Sequence, residues 1–332
     1  MWIVDLNSPP WFFVLNPVVD AGAFGWLASE SLHLKRIRRA NKTMGSIKVQ
    51  RKVTAPAIKT CQELDLEAIK LHKIYSERGK ELNRLCYLSL KEKINESMRL
   101  VKEALSNHNK PVVACSCGKD SVAVLHMVHQ INKTIPAVFS DTGIEFPETR
   151  DYMDRLKSEW NLKIFVLKPE RSFWDIVEEF GYPKQIRGAR KDNPKADRRE
   201  PKCCKILKRD PMIKFIKDYQ PDLVFTGLTS GEGRGRRAVF LSKGNLIYRH
   251  ESEGVDRCVP LLFWYPKEVF EYFKIKNIPL NPAYKKYGID RMGCIPCTGY
   301  IGWQKDLARL FPALYKKISH EMGQTLISDL ED

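Results

Sequence analysis

Apolar residues recur along this chain with two different periods. From Leu64 to Leu105, Leu, Ile and Tyr return at three- and four-residue intervals among Lys and Glu. That spacing lays a single apolar stripe along a helix, and the stretch predicts two amphipathic helices with a break near Gly79. Beyond residue 108 the pattern changes to short apolar runs near 111–115, 135–140, 162–167 and 222–227, separated by helical patterns. Runs of this kind suit strands buried on both faces. Their alternation with helices predicts an α/β fold, a parallel twisted sheet with helices on both faces behind an N-terminal helical extension. Ligands of such sheets bind beyond the strand C-termini, where Ser116, Asp141 and Gly227 fall. The expected organisation is an extension and helical segment over 1–107, a main α/β domain over 108–305 and a C-terminal helical tail over 306–332.

The stretch from Trp2 to Leu34 is aromatic and apolar, but Asp5, Pro9, Pro10, Asn16, Pro17 and Asp20 interrupt it before an uninterrupted span of about 20 residues forms. No stable membrane insertion is expected, and the basic start of a signal peptide is missing. The stretch reads either as a short docking segment or as sequence upstream of a start at Met44.

The 332 residues are 43% hydrophobic, enough for a real core, and carry 56 Lys and Arg against 40 Asp and Glu, a net charge of +16. Such an excess favours polyanionic partners, nucleic acid first, over a small nucleotide alone. Residues 183–210 hold eleven Lys/Arg and four Asp/Glu, nearly half of the excess, and read as a phosphate-tracking surface or a solvated loop. Nine cysteines without a secretory signal point to a reduced cytoplasm with metal or catalytic use of thiols.

The chemistry concentrates at Ser116-Cys117-Gly118-Lys119-Asp120-Ser121, between a predicted strand and a predicted helix. Gly118 lets the backbone approach a phosphate, Lys119 neutralises charge, Ser116 and Ser121 add hydroxyls, and the helix points its first N–H groups at the anion. The spacing is not the Walker pattern. It resembles the Ser-x-Gly-Lys-Asp-Ser signature of the PP-loop ATP pyrophosphatases, the adenine nucleotide alpha hydrolase-like superfamily that includes the PAPS reductases. Downstream blocks are similar to the PAPS reductase family in order. They are Asp141-Thr142-Gly143 with Phe146-Pro147-Glu148-Thr149, Gly227-Leu228-Thr229 with Glu232, Arg234, Arg236 and Arg237, then Asn281-Pro282 and Gly293-Cys294-Ile295-Pro296-Cys297-Thr298. Thr229 stands where an arginine is common.

The resemblance implies a nucleotide site built from Ser116, Cys117, Gly118, Lys119, Asp120, Ser121, Asp141, Thr142, Gly143, Gly227 and Arg236. Its catalytic groups would be Lys119, Asp120, Asp141, Arg234 and Arg237, and its ligand ATP with Mg²⁺ or a sulfonucleotide. Cys203-Cys204 with Cys294-x-x-Cys297 resembles the 4Fe-4S ligand set of the cluster-bearing adenylyl-sulfate reductases. Adjacent cysteines suit a cube, where each thiolate binds a different iron, while zinc and plain structural thiols stay open as alternatives. Those reductases use a thiol in a Glu-Cys-Gly type motif near the C-terminus, and no cysteine follows Cys297 in this sequence.

The expected activity is therefore an ATP-dependent sulfur-transfer enzyme similar to phosphorothioation-type sulfurtransferases. It would cleave ATP to AMP and pyrophosphate to activate an acceptor, nucleic acid among them, with sulfur from a donor such as a cysteine desulfurase. A PAPS or adenylyl-sulfate reductase, an ATP sulfurylase-like adenylyltransferase and a non-catalytic nucleic-acid-binding regulator on the same fold are the alternatives.

Overall fold

The computed structural model of the chain describes residues 61–183, 201–300 and 302–323. Helices α1 (Cys61–Cys86) and α2 (Leu90–Ser106) come first. The break expected near Gly79 is not found; α1 runs through it, and the chain turns at residues 87–89. A lone helical glycine costs only about 1 kcal/mol relative to alanine, and burial of Leu82, Leu85 and Cys86 holds the helix beyond it. What sets the boundary is Ser89. Its N–H donates to Glu92 Oε2 at 2.8 Å and its hydroxyl accepts the Glu92 N–H at 3.4 Å, a reciprocal capping box.

The α/β part runs β1 (Pro111–Ala114), α3 (Lys119–Ile131), β2 (Ala137–Ser140), α4 (Glu148–Glu159), β3 (Ile164–Leu167) and α5 (Phe173–Phe180). After residues 184–200 the chain enters α6 (Lys202–Cys204), a π-helical turn (Lys205–Arg209) and α7 (Asp210–Tyr219). Then follow β4 (Leu223–Thr226), a 3₁₀ turn (Ser230–Glu232), α8 (Arg234–Lys243), β5 (Ile247–His250) and β6 (Val255–Cys258). Helices α9 (Pro266–Ile275), α10 (Pro282–Tyr287), α11 (Trp303–Leu310) and α12 (Pro312–Glu321) close the described chain.

The six strands form one sheet in the order β3-β2-β1-β4-β6-β5, parallel throughout except for β5, which runs antiparallel to β6 at one edge. The four expected strands are its first four. The β5–β6 hairpin was not among the expectations, because Ile-Tyr-Arg-His and Val-Asp-Arg-Cys are half polar and lack an apolar run.

Alternation along the strands feeds two cores. Val113, Ala137, Phe139 and Phe225 pack with α1, α2, α3 and the segment around Trp264, while Val112, Val138 and Val224 pack against Phe215 and Ile216 of α7. A third cluster joins Phe173, Ile176, Cys203 and Leu207 to Trp303, Leu307, Tyr315 and Ile318 of α11 and α12. The two C-terminal helices thus cover the cysteine-bearing turn. Among the described residues no helix is long and apolar enough to cross a membrane.

The chain direction reverses at β1. Strands β2 and β3 lie on one side of it and β4 on the other, so the β1–β4 crevice is the switch point where a parallel sheet presents its ligand site.

Candidate active site

The loop leaving β1 is held from both sides. Its Ser116 N–H donates to Ser121 Oγ at 3.1 Å, and that hydroxyl donates in turn to the Gly118 carbonyl at 3.0 Å. From α10, the Tyr284 hydroxyl accepts the Lys119 N–H at 2.8 Å, and Asn281 Nδ2 stands 3.4 Å from the Cys117 carbonyl. Cys117 adopts the left-handed conformation, φ 58°, whereas Gly118 has φ −82° and a Cβ there would meet Ser116, Tyr284 and Met292 only at ordinary contact, 3.5 Å. The strained residue of the loop is the cysteine, and the glycine's freedom is not used by the backbone angles.

Across the crevice, the end of β4 approaches closely. A Cβ on Gly227 would lie 2.6 Å from both the Asp120 carbonyl carbon and the Ser121 nitrogen, which real side chains do not tolerate. Gly227 is what allows β4 to reach the first turn of α3. The hydroxyls of Thr226 and Thr229 are buried here without a partner.

Lys119 is buried, with its Nζ 2.9 Å from Asp120 Oδ2 and 5.6 Å from the centroid of the Phe270 ring. The other carboxylate oxygen, Asp120 Oδ1, is buried and has no hydrogen-bond partner. An orphaned buried acceptor costs about 1–3 kcal/mol or more when charged. A donor or a hydrated cation arriving with a ligand would relieve it, and the pair therefore fits ATP with Mg²⁺. Asp141, at the end of β2, is already engaged. It accepts from Arg150 Nη2 at 3.0 Å and from the Gly143 N–H at 3.2 Å. Thr142 turns inward on Glu145, to which its N–H donates at 3.1 Å.

The basic residues after β4 are placed differently from one another. Arg237 donates to Asn83 of α1 at 2.8 Å, and the Arg236 N–H to the Gly233 carbonyl at 3.1 Å. Arg234 opens α8, and its side chain lies outside the description. Most of the basic run over 183–210 also lies outside the described residues.

Cys203 and Cys204 sit in α6, and Cys294 and Cys297 in the loop before α11, closed by the Cys297 N–H on the Cys294 carbonyl at 3.3 Å. The thiols influence one another. A hydrogen bond with Cys204, burial, and the neighbouring Cys297 and Cys294 push the Cys203 thiol up. Burial and Cys294 also raise Cys297. Burial alone would lower the Lys208 ammonium, but its hydrogen-bonded partner Cys294, with Cys204, outweighs this and raises it. Among the described residues no three His, Cys, Asp or Glu side chains close on a point that could hold a single metal ion. One tetrahedral zinc would bring thiolates to within about 4 Å of each other, given Zn–S bonds near 2.3 Å, whereas a four-iron cube takes one thiolate per iron over a larger body.

The thiols and the phosphate loop belong to one region. Met292, two residues before Cys294, lies against Gly118, and the Ile295 N–H donates to the Ile144 carbonyl beside the Asp141 turn at 2.9 Å. Asn281, Tyr284 and Met292 were not expected as site residues. Asn281-Pro282, quoted above only as a block similar to the family, opens a helix, with Asn281 accepting the Ala283 N–H at 3.0 Å; no local spacing pointed from there to the loop 164 residues earlier.

Residues 110–300 match the phosphoadenosine phosphosulfate reductase domain. The chain belongs to that family. An uncharacterized protein of Methanocaldococcus jannaschii is 31% identical over 222 residues, 65% of this chain, but that match spans only 42% of the relative's length. An adenosine 5'-phosphosulfate reductase of Staphylococcus epidermidis is 29% identical over 216 residues, 64% of this chain and 80% of that protein. Among solved structures, the phosphoadenylyl-sulfate reductase of Candida auris aligns at a TM-score of 0.46 with 17% identity over 65% of this chain and 93% of its own.

Proposed function

We propose that this family member is an ATP-dependent sulfur-transfer enzyme, which cleaves ATP to AMP and pyrophosphate to activate an acceptor for sulfur insertion. The observation that carries the reading is the buried Lys119–Asp120 pair with one carboxylate oxygen left unpartnered at the sheet's switch point. A triphosphate supplies what that pair lacks. Lys119 turns its ammonium from Asp120 to the β and γ phosphates, Ser116, Gly118 and Ser121 line the loop, and Asp120 accepts from the hydration shell of the Mg²⁺ that accompanies ATP. Asp141, Thr142, Gly143, Gly227 and Arg236 border the nucleotide, and Arg234 and Arg237 approach the α-phosphate only if Arg237 leaves Asn83. The acceptor oxygen attacks the α-phosphorus, the bond to the β-phosphate breaks and pyrophosphate leaves; sulfur then displaces AMP from the acceptor.

Cys203, Cys204, Cys294 and Cys297 would hold a 4Fe-4S cluster, which supplies a sulfur-binding or electron-donating centre when present. Lys208 beside Cys294 offsets the negative charge of such a set. The basic run over 183–210, seven charges in excess, supports nucleic acid as the acceptor class.

A second reading, reduction of adenylyl sulfate or PAPS, is favoured by the reductase relatives of which this chain covers 80%. Anaerobically purified protein decides between them. Iron and acid-labile sulfide, with pyrophosphate release from ATP that nucleic acid stimulates and no sulfite from PAPS, is the expected result. Sulfite from adenylyl sulfate or PAPS with a thiol reductant, and no use of ATP, would replace the first reading by the second.

A further inference from the structure

Beside the β1–β4 crevice, a surface of aromatic and basic residues takes no part in the chemistry above. Its centre is the 3₁₀ turn Ser230–Glu232, which starts three residues after Gly227 and so within about 11 Å of it. From α1, Cys86 Sγ stands 3.9 Å from Ser230 Oγ, and Asn83 accepts from Arg237 of α8 at 2.8 Å. Tyr87 follows Cys86 and lies four residues beyond Asn83, with its N–H on the Asn83 carbonyl at 3.0 Å. From the start of α9, Tyr265 and Pro266 also reach the turn. A Cβ on Gly231 would lie 3.8 Å from the Tyr265 ring and 2.8 Å from Pro266.

Among the described residues no large apolar side chain is more exposed than Tyr87, at 77%, and Tyr265 is 41% exposed. Tyr87 joins none of the buried clusters; it is Leu88 that packs inward and Ser89 that caps α2. The segment that begins in the turn is basic and open. Residues 231–237 read Gly-Glu-Gly-Arg-Gly-Arg-Arg, three cations to one carboxylate. Gly231, Gly233 and Gly235 are exposed, and a Cβ on Gly233 or Gly235 would meet nothing within 4 Å, so a polymer can approach the backbone here. Carboxylates at the border are already held, Glu81 by Arg84 and Glu268 by the buried Lys93, each at 2.7 Å.

We propose that Tyr87 and Tyr265 form a stacking platform for the unpaired bases of a single-stranded nucleic acid, whose phosphates run along the basic segment 231–237. Exposed rings alone would suit any apolar partner. Rings beside an excess of cations, on a chain of net charge +16, suit a polyanion that carries flat bases. Only bases outside a duplex offer their faces to a side chain. The platform lies next to the crevice, so a strand held there stands at the site where an acceptor would be activated.

The inference rests on nucleic acid being the acceptor class of the proposed reaction. Full-length parent, Tyr87→Ala, Tyr265→Ala and the two Phe variants are titrated with a fluorescein-labelled oligouridylate of about 12 nucleotides, within the usual site size. The titrations are repeated over a range of salt and with a duplex of the same length. Each Ala variant should bind the single strand about 5- to 100-fold more weakly. Tyr87→Phe and Tyr265→Phe should bind as the parent does, and the salt slope of the Ala variants should not change, because no phosphate contact is lost. The parent should prefer the single strand to the duplex. Tyr265→Ala also uncovers Lys93, whose ammonium lies 4.8 Å from the ring; Tyr87→Ala, at the more exposed position, decides the matter if that variant does not fold. Ala variants that bind like the parent, Phe variants as weak as Ala, or equal binding of the duplex would overturn the proposal. So would a parent dimer that Tyr87→Ala breaks, which would give this face to a second copy of the chain. Pyrophosphate release from ATP by the parent is measured on the same preparation. Its absence with stacking intact removes the ATP reading and leaves the platform; its presence with no single-strand binding removes the platform and leaves the ATP reading.

Discussion

Lys93 and Lys119 are both buried, each against a carboxylate, and they differ in whether that carboxylate is fully engaged. Lys93 reaches across from α2 to Glu268 at the start of α9 and engages both oxygens, at 2.7 and 2.8 Å. Glu268 also accepts the Tyr265 N–H at 2.8 Å, and the Tyr265 ring lies 4.8 Å from the ammonium. Nothing polar in that pair is left over. Among the described residues the Lys119 ammonium hydrogen-bonds its sequence neighbour, through one oxygen, and the other oxygen of Asp120 is buried without a partner. A buried ion pair that closes on itself fixes two helices to each other; the one left incomplete is where the proposed nucleotide would bind.

The largest expected effect tests the closed pair. Lys93→Ala strands a partly buried carboxylate and should cost about 3–5 kcal/mol of stability, read as a fall in the urea midpoint. Turnover per folded molecule should not change. Lys119→Ala should do the reverse. Pyrophosphate release from ATP should fall about 10²–10³-fold, the usual loss when one charge stabiliser is removed, with a stability loss of about 1–3 kcal/mol for the second Asp120 oxygen left unpartnered. If Lys119→Ala unfolds the protein as Lys93→Ala does, the distinction between the two lysines is lost.

Gly227→Ala sharpens the same boundary from the opposite strand. Its Cβ meets backbone rather than a movable side chain, so overpacking of about 1–3 kcal/mol is expected, together with weakened nucleotide binding as the first turn of α3 shifts. Calorimetry and nucleotide titration on one preparation would check both.

Strands β1, β2 and β4 and the phosphate loop were legible because each apolar run ends at a residue type with a chemical use, and the edge strand β3 was legible from its apolar run alone. Ala114 runs into Cys115-Ser116, Ser140 into Asp141 and Thr226 into Gly227. The β5–β6 hairpin was not, since an edge strand needs one covered face and its half-polar residues show no run. The helix break was misplaced because Gly79 is an obvious breaker while the capping box Ser89–Glu92 looks like ordinary surface. At the site, Lys119 and Asp120 are adjacent in sequence and stand out. The supports from Asn281, Tyr284 and Met292 are long-range contacts that no local spacing encodes, and the same holds for the pairing of Asp141 with Arg150 and of Arg237 with Asn83.

A smaller effect is expected from pH. His126, behind the loop on α3, bonds the Tyr272 hydroxyl of α9 at 2.8 Å, and burial with the nearby Lys276 lowers its imidazole from 6.5 to about 4. A base whose folded value lies below its unfolded one binds more protons when unfolded in that window, so stability declines as pH falls from 6.5 toward 4. His126→Gln should flatten that decline relative to the parent in urea titrations at several pH values. The smallest effect should come from Arg150→Ala, because Arg150 is 62% exposed in its pair with Asp141; less than about 1 kcal/mol is expected. A large loss of turnover from this variant would mean that Asp141 works only when paired.

The most direct measurement of the central claim is the fate of ATP labelled in its α-phosphate, with the parent and Lys119→Ala compared under anaerobic conditions in the presence of nucleic acid. Labelled AMP, or label carried transiently on the acceptor, with one pyrophosphate per ATP in the parent and almost none in the variant, is the predicted result. Equal and negligible conversion by both proteins, with sulfite released from adenylyl sulfate by the parent, would contradict it.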